Sequence, residues 1–162
     1  MTAKLTILFS LIPLIAFAQT RAPHIKRTNP PELSKPTGYT HVVEATGPVK
    51  TIYISGQIAF DKAGTLVGAG DMKAQAEQVF ANLEAALKAA GATFSDVVKM
   101  NTYVTDMAKA PAVREVRARY FGEVTPASTL VQVVALARPE LMLEIEVIAV
   151  VREGARVVPA SR

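Results

Sequence analysis

Residues 126–151 read PASTLVQVVALARPELMLEIEVIAVV, two β-patterned runs joined by a short loop at Arg138-Pro139, and the architecture turns on this stretch. In the second run Glu144 and Glu146 are two apart, so on a strand they leave the same face as Ile148 and Val150. A solvent-facing strand alternates cleanly between polar and apolar. Carboxylates that share a face with branched apolar residues instead mark a sheet passing from a wet cleft into a core. In the first run, residues 130–136 are apolar at nearly every position except Gln132. Both faces of that predicted strand therefore need cover, and a sheet with helices on one side covers only one. A subunit interface over the other face is the expected solution.

Upstream, Val113, Val116, Tyr120 and Phe121 fall together on a predicted amphipathic helix over 112–121. A strand is predicted over 100–104, with Ser95 capping a short turn before it. Further back, Ala76, Val79, Phe80, Leu83, Ala86, Leu87 and Ala90 recur at helical spacing. Asp71 is placed to cap this helix and Gly91 to end it. Thr40–Ala45 and Thr51–Ile54 read as strands joined by a turn at Gly47-Pro48, an antiparallel start. Strands and helices mix without strict βαβ alternation. The predicted class is α+β, a mixed sheet with two helices packed on one face.

Residues 1–18, MTAKLTILFSLIPLIAFA, carry Lys4, then an apolar run from Leu5 to Phe17, then Ala16-Phe17-Ala18 before Gln19. This reads as a signal peptide cut after Ala18, which predicts a periplasmic or secreted protein with no membrane span after cleavage. An uncleaved anchor is the alternative; the run is short of the ~20 residues a spanning helix needs and contains Pro13. Residues 19–37 hold Pro23, Pro30, Pro31 and Pro36 with Arg21, Lys26, Arg27 and Lys35, and read as an extended basic tether. The alternative for the tether is a polybasic contact to anionic lipid or polymer. One domain is expected over 38–153, and a tail over 154–162. There is no cysteine, so disulfides, thiolate nucleophiles and cysteine zinc clusters are excluded.

Gly38-Tyr39, Ile54-Ser55-Gly56-Gln57, the helix ending in Gly91, Asp96-Val97-Val98-Lys99 before MNTYVTD, and the closing EIEVIAVV run occur in an order that resembles the Rid family (RidA, YjgF). These are imine/enamine deaminases of the chorismate-mutase-like fold, and the likeness covers about residues 38–152. The resemblance implies a homotrimer with its site between subunits and a small-molecule ligand. It places the carboxylate that holds or activates water on Glu144, a substrate-facing tyrosine on Tyr39, and main-chain groups on Ser55-Gly56 and Ser128-Thr129. General acid/base help of this kind contributes ~10²–10⁴ in rate when well placed. Where deaminating members have an arginine in P-A-R-S, gripping the substrate carboxylate, this chain reads Pro126-Ala127-Ser128-Thr129.

A bidentate guanidinium–carboxylate contact is worth on the order of 1.5–3 kcal/mol, so its loss costs about one to two decades in binding. Ser128 donates one neutral hydrogen bond and does not neutralise a carboxylate. Arg114, where relatives often carry a small polar residue, and Arg138 are the two arginines weighed as replacements. Arg114 is assigned to the binding residues, against the alternative of an exposed helix charge.

His24 and His41 have no partner at ligand spacing, so no metal is expected, and no glycine-rich nucleotide loop indicates a cofactor. The net charge of +4 is small and weighted to the tail, and basic residues do not interleave with aromatics, so nucleic acid is not an expected partner. Two functions stay open. One is a hydrolytic deaminase of a small imine, enamine or related reactive metabolite. The other is a non-catalytic trimeric small-ligand-binding module that lost the reaction with the arginine.

Overall fold

A computed structural model describes residues 24–153. The predicted signal peptide and the tail at 154–162 lie outside the described residues. The expected α+β class holds. β3 (Val49–Gln57), β6 (Leu143–Arg152), β4 (Val97–Val104) and β5 (Ala127–Gln132) form one mixed sheet in the order β3-β6-β4-β5. The β3–β6 and β6–β4 pairs are antiparallel and β4–β5 is parallel. The helices α1 (Met72–Ala89) and α2 (Ala110–Phe121) cover one face.

Alternation in β6 decides which face that is. Leu143, Ile145, Val147, Ala149 and Val151 are buried in one cluster with Val79, Phe80 and Leu83 of α1 and Val113 and Val116 of α2. Glu144, Glu146 and Ile148 leave the opposite face, half-buried. Helix α1 is fixed at both ends. The Asp71 carboxylate accepts from the Lys73 and Ala74 amides, at 2.9 and 3.2 Å. At the far end Gly91 has φ +76°, Ala92 N donates to Leu87 O and Gly91 N to Lys88 O, a Schellman closure. Two ion pairs, Lys73–Glu115 and Arg119–Glu77, link the helices on their exposed side.

Four local expectations are corrected. First, the strand at 40–45 does not pair with the next one: β2 (Val42–Thr46) pairs antiparallel with β1 (His24–Thr28). β3 is taken up by β6 from Val49 to Gln57, which leaves β2 to find another edge. Second, β1 lies inside the stretch expected as a tether. Pro23 and Pro30 bracket a run with β-branched Ile25 and Thr28, and Lys26 faces Glu44 across the ribbon at 3.4 Å. Third, the turn before β4 is capped by Thr93, whose amide and hydroxyl donate to Asp96, and not by Ser95. Fourth, β5 stops at Gln132, because its parallel partner β4 ends at Val104; Val134 beyond it is fully exposed.

Two amide side chains, one buried and one half-buried, pin the loops that deliver the site. Gln75, fully buried on α1, donates to Glu140 O at 2.8 Å and to Gly68 O at 3.2 Å and accepts from Met142 N at 2.8 Å. This fixes the entry into β6. Asn82 donates to Ile58 O and Phe60 O at 3.0 and 2.8 Å, which holds the chain leaving β3. Satisfied amides of this kind specify one arrangement because any other leaves buried groups without partners.

Candidate functional site

The sheet face away from the helices carries the polar constellation. Asn101 and Tyr103 of β4 project there beside Glu146 of β6, as the register Asn101↔Glu146 requires. Asn101 Nδ2 donates to Glu146 Oε1 at 2.8 Å and the Tyr103 hydroxyl donates to the same oxygen at 3.0 Å. The Asn101 bond first, then the Tyr103 bond, hold the Glu146 carboxyl below the usual carboxylate range. The same contact pushes the Tyr103 phenol up. Lys99 Nζ donates to Thr129 Oγ1 at 2.7 Å on this face. Lys99, Asn101 and Glu146, with Ser55 and Tyr53 of β3, line an open hollow of about 230 Å³.

Glu144 stands two residues along, in register with Tyr103. Its side chain lies over Gly56: a Cβ built there would fall 2.7 Å from Glu144 Cδ and 2.9 Å from Cγ. Gly56 has no left-handed φ. What its missing Cβ provides is clearance for the Glu144 side chain, not a backbone conformation. β3 is irregular here, its ladder with β6 shifting between Ile54 and Gln57. No side-chain hydrogen bond reaches Glu144 among the described residues, in contrast to the doubly bonded Glu146.

The predicted site residues form two groups. Glu144, Gly56, Ser55 and Thr129 share the open face. Ser128 does not: it pairs with buried Met100, so it points to the helix side. β5 and β6 are two strands apart, roughly 10 Å, so Glu144 and Ser128 lie on opposite faces and different strands of one sheet. Tyr39 is near the start of β5, in a second hollow of about 460 Å³ with Gly38, Lys35 and Thr125. Its ring meets His41 edge-on at 5.2 Å. Thr40 anchors this segment, its amide donating to Pro126 O at 3.1 Å and its hydroxyl lying 2.7 Å from Thr125 O.

Arg114 is exposed on α2, in the helical layer, away from the Glu144 face. Arg138 lies over the Phe60 ring at 4.8 Å. The residues that the sequence reading missed are Arg117 and the trio Lys99, Asn101 and Tyr103, whose period-two spacing along β4 is legible but whose place beside Glu146 comes from the β4–β6 register. Arg117 is largely buried, its guanidinium carbon 5.0 Å from the centre of the Phe121 ring. Among the described residues no three His, Asp or Glu side chains gather to hold a metal ion, and no helix is long and apolar enough to cross a membrane.

The chain is similar to known proteins in sequence and fold. The family model described as Endoribonuclease L-PSP matches residues 32–151. A RutC family protein of Pyrococcus horikoshii is 41% identical over 117 residues, 71% of this chain and 89% of that protein. The 2-iminobutanoate/2-iminopropanoate deaminase of Mus musculus is 41% identical over 101 residues, 62% of this chain and 74% of that enzyme. Among solved structures, YyfB of the conserved Rid protein family from Yersinia pestis is 40% identical, with TM-score 0.70 over 77% of this chain and 97% of that one. RidA of a Psychrobacter species is 39% identical, with TM-score 0.57 over 72% and 90%.

Proposed function

Because this chain belongs to the Rid (RutC, YjgF) family, we propose that it is a hydrolase that deaminates a small imine or enamine in a cleft between subunits, with Glu144 as the group that activates water. The relatives matched include proteins named as 2-iminobutanoate/2-iminopropanoate deaminases. The observation that carries the reading is the carboxylate of Glu144, laid over Gly56 on an open sheet face and free of side-chain hydrogen bonds among the described residues. Glu146 beside it is committed to Asn101 and Tyr103. Of the two carboxylates, Glu144 is the one available to exchange a proton.

The chemistry follows from that placement. Water adds to the C=N carbon as the Glu144 carboxylate takes its proton, giving a tetrahedral carbinolamine. Glu144 passes that proton to the nitrogen, then moves the carbinolamine hydroxyl proton to the same nitrogen; the C–N bond breaks and ammonia leaves, with a carbonyl remaining. Glu144 ends as it began. An enamine enters the same route after a proton moves from its nitrogen to carbon, giving the imine.

The assembly is part of the proposal. Glu144 and Ser128 face opposite sides of one sheet, so one protomer does not bring both to a small molecule; a second copy does. The open face also exposes Tyr53 and Val131, at 77% and 39%, and a homotrimer is the closed arrangement that covers them. Residues 1–18 direct export, with the cut after Ala18. On the open face Glu144 and Glu146 outnumber Lys99, so the face favours a small molecule over the phosphate backbone that a nuclease must hold.

Ser128 in place of the family arginine favours a second reading, a trimeric binding module without turnover. Ammonia release by residues 19–162 separates the two. The substrates are freshly generated 2-iminobutanoate and imines without a carboxylate, with Ser128→Arg alongside. Release by the unaltered chain supports the hydrolase; silence on every substrate, with activity only in Ser128→Arg, supports the binding module.

A further inference from the structure

Arg117 falls four residues after Val113 and four before Phe121, inside the apolar stripe of α2. Its Nε and Nη2 are both buried, and neither has a hydrogen-bond partner among the described residues. These two N–H groups form one edge of the guanidinium, pointing in parallel at the spacing of two carboxylate oxygens. Burial pulls the guanidinium pKa down with no anion opposing it, yet an arginine stays charged in proteins. A buried cation without an acceptor is costly, so a site that keeps one has a use for it.

Its position supplies the use. Nη1 stands 3.3 Å from where a Cβ at Gly38 would be. Gly38 leads into Tyr39, and Thr40 is bonded to Thr125 and Pro126, immediately upstream of Ser128. Arg117 is therefore at the end of the sheet where β5 begins, on the helix side that Ser128 also faces. We propose that Arg117 is the carboxylate-gripping arginine of this protein: the cation that deaminating relatives extend from β5 is here supplied by α2. This rests on the reading of the chain as an imine hydrolase. It makes the substrate an imine or enamine with a carboxylate beside the reacting carbon.

The test titrates residues 19–162 with 2-oxobutanoate, a stable carboxylate-bearing probe, and with its methyl ester. The proteins compared are the unaltered chain, Arg117→Gln, Arg117→Lys, and Arg117→Gln combined with Ser128→Arg. Arg117→Gln is expected to weaken 2-oxobutanoate binding about 10–100-fold and leave the ester unchanged. Arg117→Lys, which keeps charge but loses the fork, falls between, and Ser128→Arg restores binding. If Arg117→Gln fails to fold, Arg117→Lys carries the comparison. Equal affinity with and without the arginine, an equal loss for acid and ester, or no binding of 2-oxobutanoate by the unaltered chain overturns the inference. Selective carboxylate binding without ammonia release supports Arg117 and removes the hydrolase reading. Release from neutral imines only, unchanged in Arg117→Gln, keeps the hydrolase and removes Arg117.

Discussion

Gly56 and Glu144 compete for one volume: the hydrogen at the Gly56 Cα is what lets the Glu144 side chain lie across β3, since a methyl there would sit 2.7 Å from Glu144 Cδ. Gly56→Ala thus leaves the backbone unstrained and evicts the carboxylate, the flexible partner in the clash. Expected is a fall in ammonia release within the ~10²–10⁴ range of a displaced acid/base group, with the melting temperature nearly unchanged. Unaltered release with the same protein fold would separate Glu144's position from its function.

The Glu146 network predicts a pH profile for stability. Glu146 has a folded pKa below its unfolded value, so its contribution is present above the unfolded value near pH 4.3 and is lost as pH falls through the folded one. Tyr103 is raised, so its contribution is present below the unfolded value near pH 10 and lost as pH rises through the folded one. Tyr103→Phe should flatten the alkaline fall and weaken the acid one. Thermal melts of both proteins from pH 3 to 11 check this; superimposable profiles would contradict it.

Gln75 predicts a stability effect without a substrate contact. Gln75→Met keeps the volume but leaves the buried Met142 amide and the Glu140 carbonyl without partners. At about 1–3 kcal/mol for each orphaned group, denaturant unfolding should register a loss of several kcal/mol. A change under about 0.5 kcal/mol would show the β6 entry loop is held by something else.

The sequence made some of this plain and hid the rest for physical reasons. α1 was legible from Asp71 to Gly91 because caps and apolar period agree with tertiary burial along its whole length. The Glu144–Glu146 face was legible because strand alternation admits only two orientations. β1 was hidden by its flanking prolines, and its stability comes from a partner distant in sequence. Family order names Ser128 and Glu144 for one site between subunits, and only the register with Met100 tells that the two side chains leave opposite sides of the sheet. Arg117 is legible as a charge inside an apolar stripe, but its approach to Gly38 depends on a contact between segments distant in sequence.

If Glu144 handles the proton of the attacking water, single-turnover ammonia release from 2-iminobutanoate by residues 19–162 falls in Glu144→Gln. Expected are release by the unaltered chain and a loss of about 10²-fold or more in the amide variant, with 2-oxobutanoate binding retained. Equal rates in the two proteins would contradict it.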